Sequence, residues 1–278
     1  MCLNLTMIKR SLVIGYGQIG KAIAELDSEG GYNISIIDPS ILIPLEYFAY
    51  DVIHICIPCS NADEYMKIIQ KYLDEYTAPL ILIHTTVPLN ILDKLMIDPD
   101  SCVLHCPVRG THPNIKEGIK SHVQMVAPVF PTYVGDLEKI RLGYFTKVWN
   151  IEVKFYKNSN ETALAKLLNT AWYSMQIAMA NQIDRICADL DLDFKNVYNE
   201  TIGSDSINSL YWFDDITKRA VGIGEKIRRP VMVPGAMNGT CLMPNIELGK
   251  EIFSENFTKW IKEMHHYGVN LNEEKTVN

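Results

Sequence analysis

Ser11-Leu-Val-Ile-Gly-Tyr-Gly-Gln-Ile-Gly20 decides the fold. A strand-forming run, residues 11–14, passes straight into Gly15, Gly17 and Gly20 at G-x-G-x-x-G spacing, and a helical pattern opens behind them. Each glycine has a reason: Gly15 permits a tight turn, Gly17 lets the backbone approach a pyrophosphate, and Gly20 lets the helix pack on the strand. The N–H groups and dipole of that helix then favour the phosphates. Asp38, at the end of the next predicted strand, is placed to accept hydrogen bonds from an adenosine ribose, and its charge repels the 2′-phosphate of NADP. The pattern predicts a Rossmann domain with NAD as cofactor, held by Gly15, Tyr16, Gly17, Gln18, Ile19, Gly20 and Asp38. The competing readings are a different adenine nucleotide, such as S-adenosylmethionine or FAD, and a glycine-rich turn that binds nothing.

Outward from this loop, strand-like runs at 11–14, 33–37, 52–57, 80–84, 102–105, 124–127 and 151–155 alternate with helical patterns, as in a doubly wound parallel sheet. The texture changes near residue 157. Residues 160–190 contain neither Pro nor Gly and repeat apolar residues at helical spacing, which predicts one helix of about 30 residues. The expected organisation is α/β: an NAD-binding Rossmann domain over 1–157, then an all-helical substrate and dimerisation domain over 158–278 with one long central helix. Further helices are expected at 193–198, 209–220 and 245–266, and a frayed tail at 272–278. A long helix that is apolar on more than one side predicts a homodimer.

The chain has 278 residues, 47% hydrophobic and 21% charged, enough for a sizeable core. Its net charge of −7 argues against a nucleic-acid partner. No apolar run approaches the ~20 residues that cross a bilayer. In residues 1–10 the basic side chains follow the apolar stretch, the reverse of a secretory signal, so a cytoplasmic location is expected. Seven cysteines without such a signal read as reduced thiols. Their C-x-x-C and C-x-x-x-C spacings at 56–59 and 102–106 fall in or just after predicted strands, which points to burial in preference to zinc, and no metal is expected.

Several segments resemble the UDP-glucose and GDP-mannose dehydrogenase family, of the 6-phosphogluconate dehydrogenase-like superfamily. Asp51-Val-Ile-His-Ile-Cys-Ile-Pro58 and Thr85-Thr-Val-Pro88 resemble its D-V-I-x-I-x-V-P strand and S-T-V-P turn. Lys166-Leu-Leu-Asn-Thr-Ala-Trp172 and Ala180-Asn-Gln-Ile183 resemble its K-x-x-x-N helix and the A-N-E-I continuation. Pro234-Gly235 and Gly239-Thr-Cys-Leu242 resemble the loop that carries its nucleophilic cysteine. The resemblance implies a dehydrogenase acting on a hydroxyl or aldehyde group of a small anionic or sugar-derived substrate. It adds Ile57, Pro58, Thr86 and Val87 to the cofactor site. It implies Lys166 for oxyanion stabilisation and proton transfer, Cys241 for thiohemiacetal formation and Glu117 for positioning water.

The departures are equally specific. The family's asparagine after the lysine is Thr170 here, with Asn169 beside it at a different helical position. The family's aspartate after the cysteine is Asn245, which cannot accept a proton, and the chain stops where that family begins a third, nucleotide-gripping domain. The β-hydroxyacid dehydrogenases, which share the Rossmann domain and the K-x-x-x-N helix, match the length better and transfer a single hydride without a cysteine. Leu104-His-Cys-Pro-Val-Arg-Gly110 resembles the H-P-M-x-G of prephenate dehydrogenases and makes His105 a candidate acid–base group. Arg228 and Arg229 are candidates for a substrate carboxylate or phosphate. Against these stand plainer readings: a solvated Lys166, a buried small Cys241, a structural His105, an exposed arginine pair, and a non-catalytic NAD-binding sensor or scaffold.

Overall fold

The computed structural model describes residues 9–41, 49–97, 101–110, 114–130, 141–197, 234–237 and 241–277. The chain divides into two compact units, Met1–Leu164 and Ala165–Asn278.

The first unit is built on a seven-stranded sheet: β1 (Lys9–Ile14), β2 (Tyr32–Ile37), β3 (Val52–Ile55), β4 (Leu80–Ile83), β5 (Cys102–His105), β6 (Gln124–Pro128) and β7 (Val153–Phe155). The spatial order is β2-β1-β3-β4-β5-β6-β7. β1 is flanked by the next two strands in the chain, so the order reverses there and leaves a crevice beyond the strand ends, where such sheets bind ligands. Helices α1 (Gln18–Glu29), α2 (Ala62–Glu75) and α3 (Ile115–Ser121) connect the strands. β3, β4 and β5 are short, buried along their length and rich in Val, Ile and Leu, as strands covered on both faces must be.

The expected doubly wound sheet is present and mostly parallel, with one antiparallel pairing. β6 runs antiparallel to β5, pairing Leu104 with Pro128 and His105 with Ala127, while β7 is parallel to β6. Hydrophobic pattern reports that a strand is buried, not which way it runs. α3 lies beside α1, where Lys116 bridges Glu25 and Glu29 and Lys120 bridges Glu29.

The long helix, α4, spans Ser159–Asp189. A reciprocal cap sets its start: the Glu161 amide donates to the Asn158 side chain at 3.2 Å, and the Lys157 amide donates to the Glu161 carboxylate at 2.7 Å. A short helical turn, Phe194–Val197, follows. The helix expected at 245–266 is two helices, α5 (Leu242–Leu248) and α6 (Glu255–Val277). Gly249 ends α5, and the Phe253 ring lies so close that a Cβ on Gly249 would meet it at 2.4 Å. Residues 272–277, expected to fray, continue α6. The helix expected at 209–220 lies outside the described residues. Within the second unit Ala171, Ala178, Met237, Ile246, Ile261 and Met264 form a core between α4, α5 and α6. No described helix is long and apolar enough to cross a membrane.

Candidate active site

The glycine loop has the geometry its spacing requires. Gly15 holds φ +92°, a left-handed conformation that glycine adopts without strain, and a Cβ there would sit 2.9 Å from the Cys56–Ile57 backbone. A Cβ on Gly20 would meet Gly15 O at 1.9 Å, so only glycine lets α1 start this close to the loop. At Gly17 a Cβ meets nothing within 4 Å: the space over the loop is open. Gly17 is also the N-cap of α1 and supplies no side-chain cap to the helix that begins with Gln18 and Ile19. Open space over a helix start is what a pyrophosphate needs, and these residues fit a dinucleotide.

Asp38 ties this loop to β2. Its Oδ2 accepts from the Tyr16 amide at 2.7 Å, and its Oδ1 accepts from the Ser40 amide at 2.9 Å and the Ser40 hydroxyl at 2.5 Å. The Ser40 hydroxyl, then the Tyr16 and Ser40 amides, hold its carboxyl below the usual carboxylate range. Beyond β3 and β4, Ile57 O accepts from the Thr85 hydroxyl at 2.7 Å, which joins the two turns carrying Pro58, Thr86 and Val87. Pro58 is exposed, Thr86 half-buried and Val87 buried.

A buried polar chain that sequence reasoning missed crosses the same sheet. Asp27, on the inner face of α1, accepts from Ser11 Oγ at 2.6 Å and His54 Nε2 at 2.9 Å on Oδ2, and from Trp149 Nε1 at 2.7 Å and the Tyr144 hydroxyl on Oδ1. His54 Nδ1 meets His84 Nε2 at 2.9 Å, and His84 Nδ1 meets Cys106 O at 3.1 Å. A carbonyl can only accept, so His84 donates from Nδ1 and accepts at Nε2; His54 then donates from Nδ1. The Tyr144 hydroxyl lies 2.9 Å from the same His54 Nε2 and completes the network around the carboxylate. Burial alone would raise the Asp27 carboxyl, but His54, Ser11 and Tyr144 outweigh it and bring it down to about 2. Burial and the neighbouring His54 push His84 well below the ordinary histidine range. The signal was present in the sequence: His54 interrupts a β-branched run, and Asp27 falls on the apolar stripe of its helix with Ile23 and Leu26.

His105 has both ring nitrogens engaged. Nε2 donates to Thr85 O at 3.0 Å, which leaves Nδ1 to accept from the Thr162 hydroxyl at 2.7 Å. The ring is fully buried, and burial lowers its pKa to about 4. Both ring nitrogens are taken in this arrangement. Glu117 is exposed in the first turn of α3, and the following Gly118 fits against Arg109 and Gly110, where a Cβ would meet Gly110 Cα at 2.4 Å. Cys59 and Cys106 are buried thiols; burial raises the first to about 11 and holds the second well above the ordinary thiol range. Among the described residues no group of His, Cys, Asp and Glu could hold a metal ion.

In the second unit, Lys166, Thr170, Asn245 and Cys241 lie along one connected path. Lys166 is half-buried on α4. One turn later the Thr170 hydroxyl reaches back to Leu167 O at 2.9 Å and Lys166 O at 3.2 Å, and it accepts from Asn245 Nδ2 at 3.3 Å. Asn245 is buried, and its amide donates to Cys241 O at 3.1 Å, the residue that caps α5. Asn181 closes a second link: Gly235 N donates to Asn181 Oδ1 at 2.7 Å, and Asn181 Nδ2 donates to Gly235 O at 3.0 Å and Met264 O at 2.7 Å. The Ala180-Asn-Gln-Ile183 and Pro234-Gly235 motifs are therefore two halves of one contact. Gly268 on α6 lets the loop approach, since a Cβ there would meet Gly235 O at 2.0 Å. Arg228 and Arg229 lie outside the described residues.

The sequence matches no protein-family model and no curated protein. The fold is similar to those of several solved structures. UDP-D-ManNAc dehydrogenase from Pyrococcus horikoshii superposes with a TM-score of 0.69 at 15% identity, over 92% of this chain and 68% of that one. Mycobacterium tuberculosis 3-hydroxyisobutyrate dehydrogenase, solved with L-serine, gives 0.62 at 12% identity over 94% of both chains. Psf3 in complex with NADP+ and 2-OPP gives 0.56 at 14%, over 92% of both. The fold is the one shared by the nucleotide-sugar and 3-hydroxyacid dehydrogenases: a mostly parallel Rossmann sheet followed by a helical unit.

Proposed function

We propose that this chain is an NAD-dependent dehydrogenase that removes one hydride from a CH–OH group of a small anionic or sugar-derived substrate. The first unit supplies the dinucleotide site, from Gly15 through Gly20, Asp38 and the turns at Ile57–Pro58 and Thr86–Val87. The second supplies the chemistry from Lys166. NAD, when bound, supplies the hydride acceptor. The carbon's C–H electron pair leaves as hydride, the hydroxyl proton passes to the Lys166 amine, and the oxygen becomes a carbonyl.

The observation that carries the one-hydride reading is the burial of Asn245 against Thr170. A second oxidation through a Cys241 thioester needs a base to activate water. The position four residues after Cys241 holds an amide that cannot take a proton and whose Nδ2 is spent on Thr170. Cys241 caps a helix in this reading and is a bystander to the chemistry. Asp38, held ionised by its three donors, supports NAD over NADP. Leu168, Met179 and Ile186 are exposed on α4, with exposed Leu190 just past its end, and are the surface we assign to a second copy of the chain, to be checked by light scattering at micromolar concentration.

The test is a screen of hydroxy acids and sugar-derived alcohols with NAD, read as NADH absorbance. Turnover by the wild type with a loss of roughly 100-fold or more in Lys166→Ala is the expected result. NAD binding with no turnover across the panel would favour a sensor, and full activity in Lys166→Ala would remove the lysine from the mechanism.

A further inference from the structure

The turn that follows β4 is fastened at both ends to the first turn of α4, within the first unit. At its start, Thr85 O accepts from His105 Nε2 at 3.0 Å, and Nδ1 of the same ring meets the Thr162 hydroxyl at 2.7 Å. At its far end, the Asn90 amide donates to Asn160 Oδ1 at 2.7 Å, and Asn160 Nδ2 donates to Asn90 Oδ1 at 2.9 Å. Asn90 holds φ +61° there, a left-handed conformation that asparagine tolerates better than most residues. The two ties differ in weight. The asparagine pair is exposed, and water competes for its hydrogen bonds, whereas His105 is fully buried and has no such competitor.

His105 is also well placed to hold something else still. It ends β5, with Ile83 of β4 paired on one side and Ala127 of β6 on the other. A carbonyl only accepts, so the proton of the neutral ring is committed to Thr85 O. Thr85 in turn reaches across with its hydroxyl to Ile57 O at 2.7 Å, so one gripped residue sets the turns after both β3 and β4. These turns stand at the carboxyl ends of the strands, where sheets of this kind bind ligands. The glycine loop suits the pyrophosphate and Asp38 the adenosine ribose, which leaves these two turns to the nicotinamide half. We propose that His105, with Asn160 as a second tie, is a positioning residue for that half: through Thr85 it fixes the shape of the turns that receive the nicotinamide, without touching it. The proposal rests on the dinucleotide reading above and deepens it.

Two variants divide the ring. Glutamine carries its amide where histidine carries Nε2 and can still donate to Thr85 O, while asparagine reaches only as far as Nδ1 and can still bond Thr162. Titration calorimetry with NADH and with ADP-ribose, which lacks the nicotinamide, reads the two halves of the site apart. The wild type should bind NADH the more tightly. His105→Asn should lose about tenfold in NADH affinity and less than about twofold in ADP-ribose affinity, while His105→Gln should stay within about threefold of wild type for both. Equal losses for the two ligands in His105→Asn, or no loss, would make the histidine a packing residue and overturn the proposal. A His105→Gln that behaves like His105→Asn would overturn it too. Should His105→Asn not fold, Asn160→Ala carries the test from the exposed tie: a selective loss of about threefold in NADH affinity is expected, and an unchanged ratio overturns the proposal. A wild type that binds ADP-ribose and gains nothing from the nicotinamide would overturn it while leaving the glycine-loop site standing. A wild type that binds neither ligand would remove the dinucleotide reading as well.

Discussion

The Asp27 cluster of the first unit and the Lys166–Thr170 turn of the second both place polar groups in apolar surroundings, and they treat hydrogen bonding in opposite ways. Around Asp27 the hydrogen bonds close: four donors reach one buried carboxylate, and the chain through His54 and His84 ends on a backbone carbonyl. On α4 one donor, Asn169 Nδ2, is left open. A closed network holds elements in place, here α1, β1, β3, the ends of β4 and β5, and the 141–149 segment. An open one costs stability and has a use only when something else completes it. His105, engaged through both ring nitrogens, belongs with the closed kind.

The harshest way to break the closed cluster is Asp27→Ala, which strands the His54, Ser11, Tyr144 and Trp149 donors in the core. Loss of a buried partner of this kind costs about 4 kcal/mol, so urea unfolding should show a large drop in midpoint or no folded protein at all. A change under about 1 kcal/mol would mean that the cluster is not closed in solution.

Acid provides the second test. The unfolded chain protonates a histidine near 6.5, while native His105 stays neutral until about 4. Between those values the unfolded state binds the extra proton, so stability falls as pH falls, by up to about 3 kcal/mol from this residue. His84 is shifted in the same direction. Asp27 adds nothing in that window, because its lowered pKa is felt only as pH drops below its ordinary value of 3.8. In His105→Asn the slope between pH 6.5 and 4 should be visibly shallower, and an unchanged slope would contradict the buried neutral ring.

Closure also occurs in the second unit, at Asn181, and that sharpens the contrast with Asn169 on the same helix. Asn181→Ala strands the amide and carbonyl of Gly235 and should lower stability by about 2 kcal/mol, where Asn169→Leu raises it. The smallest effect belongs to Asp38, which is satisfied internally yet keeps acceptor capacity for a ribose. Asp38→Asn retains acceptance from Tyr16 and removes the charge, so the ratio of NADP to NAD affinity by calorimetry should rise about tenfold. No change in the ratio would detach Asp38 from cofactor choice.

Much of the fold was legible in local pattern. The seven strand positions, the glycine loop and the long helix follow from β-branched runs, from Gly15, Gly17 and Gly20, and from the Pro- and Gly-free apolar repeat of residues 160–190. The direction of β6 was not legible, because alternation carries no sign. Nor was the break at Gly249, where the deciding contact is a single ring, Phe253, against one backbone position. Site residues divided in the same way. Asp38 and Lys166 stand in local motifs, while Asp27 and His54 form a pair only once α1 packs on β3, and Asn181 meets a loop 54 residues away. His105 sat in a suggestive motif and proved to be closed off, since sequence shows a residue type but not whether its hydrogen bonds are already taken.

The central proposal is a single hydride transfer from the substrate carbon to NAD, with Lys166 taking the hydroxyl proton and Cys241 outside the chemistry. Counting NADH formed per substrate consumed, in the wild type and in Cys241→Ala, measures this directly. One equivalent in both proteins, with similar rates, is the predicted result. Two equivalents in the wild type, falling to one or fewer with release of aldehyde in Cys241→Ala, would contradict it and return Cys241 to the role of nucleophile.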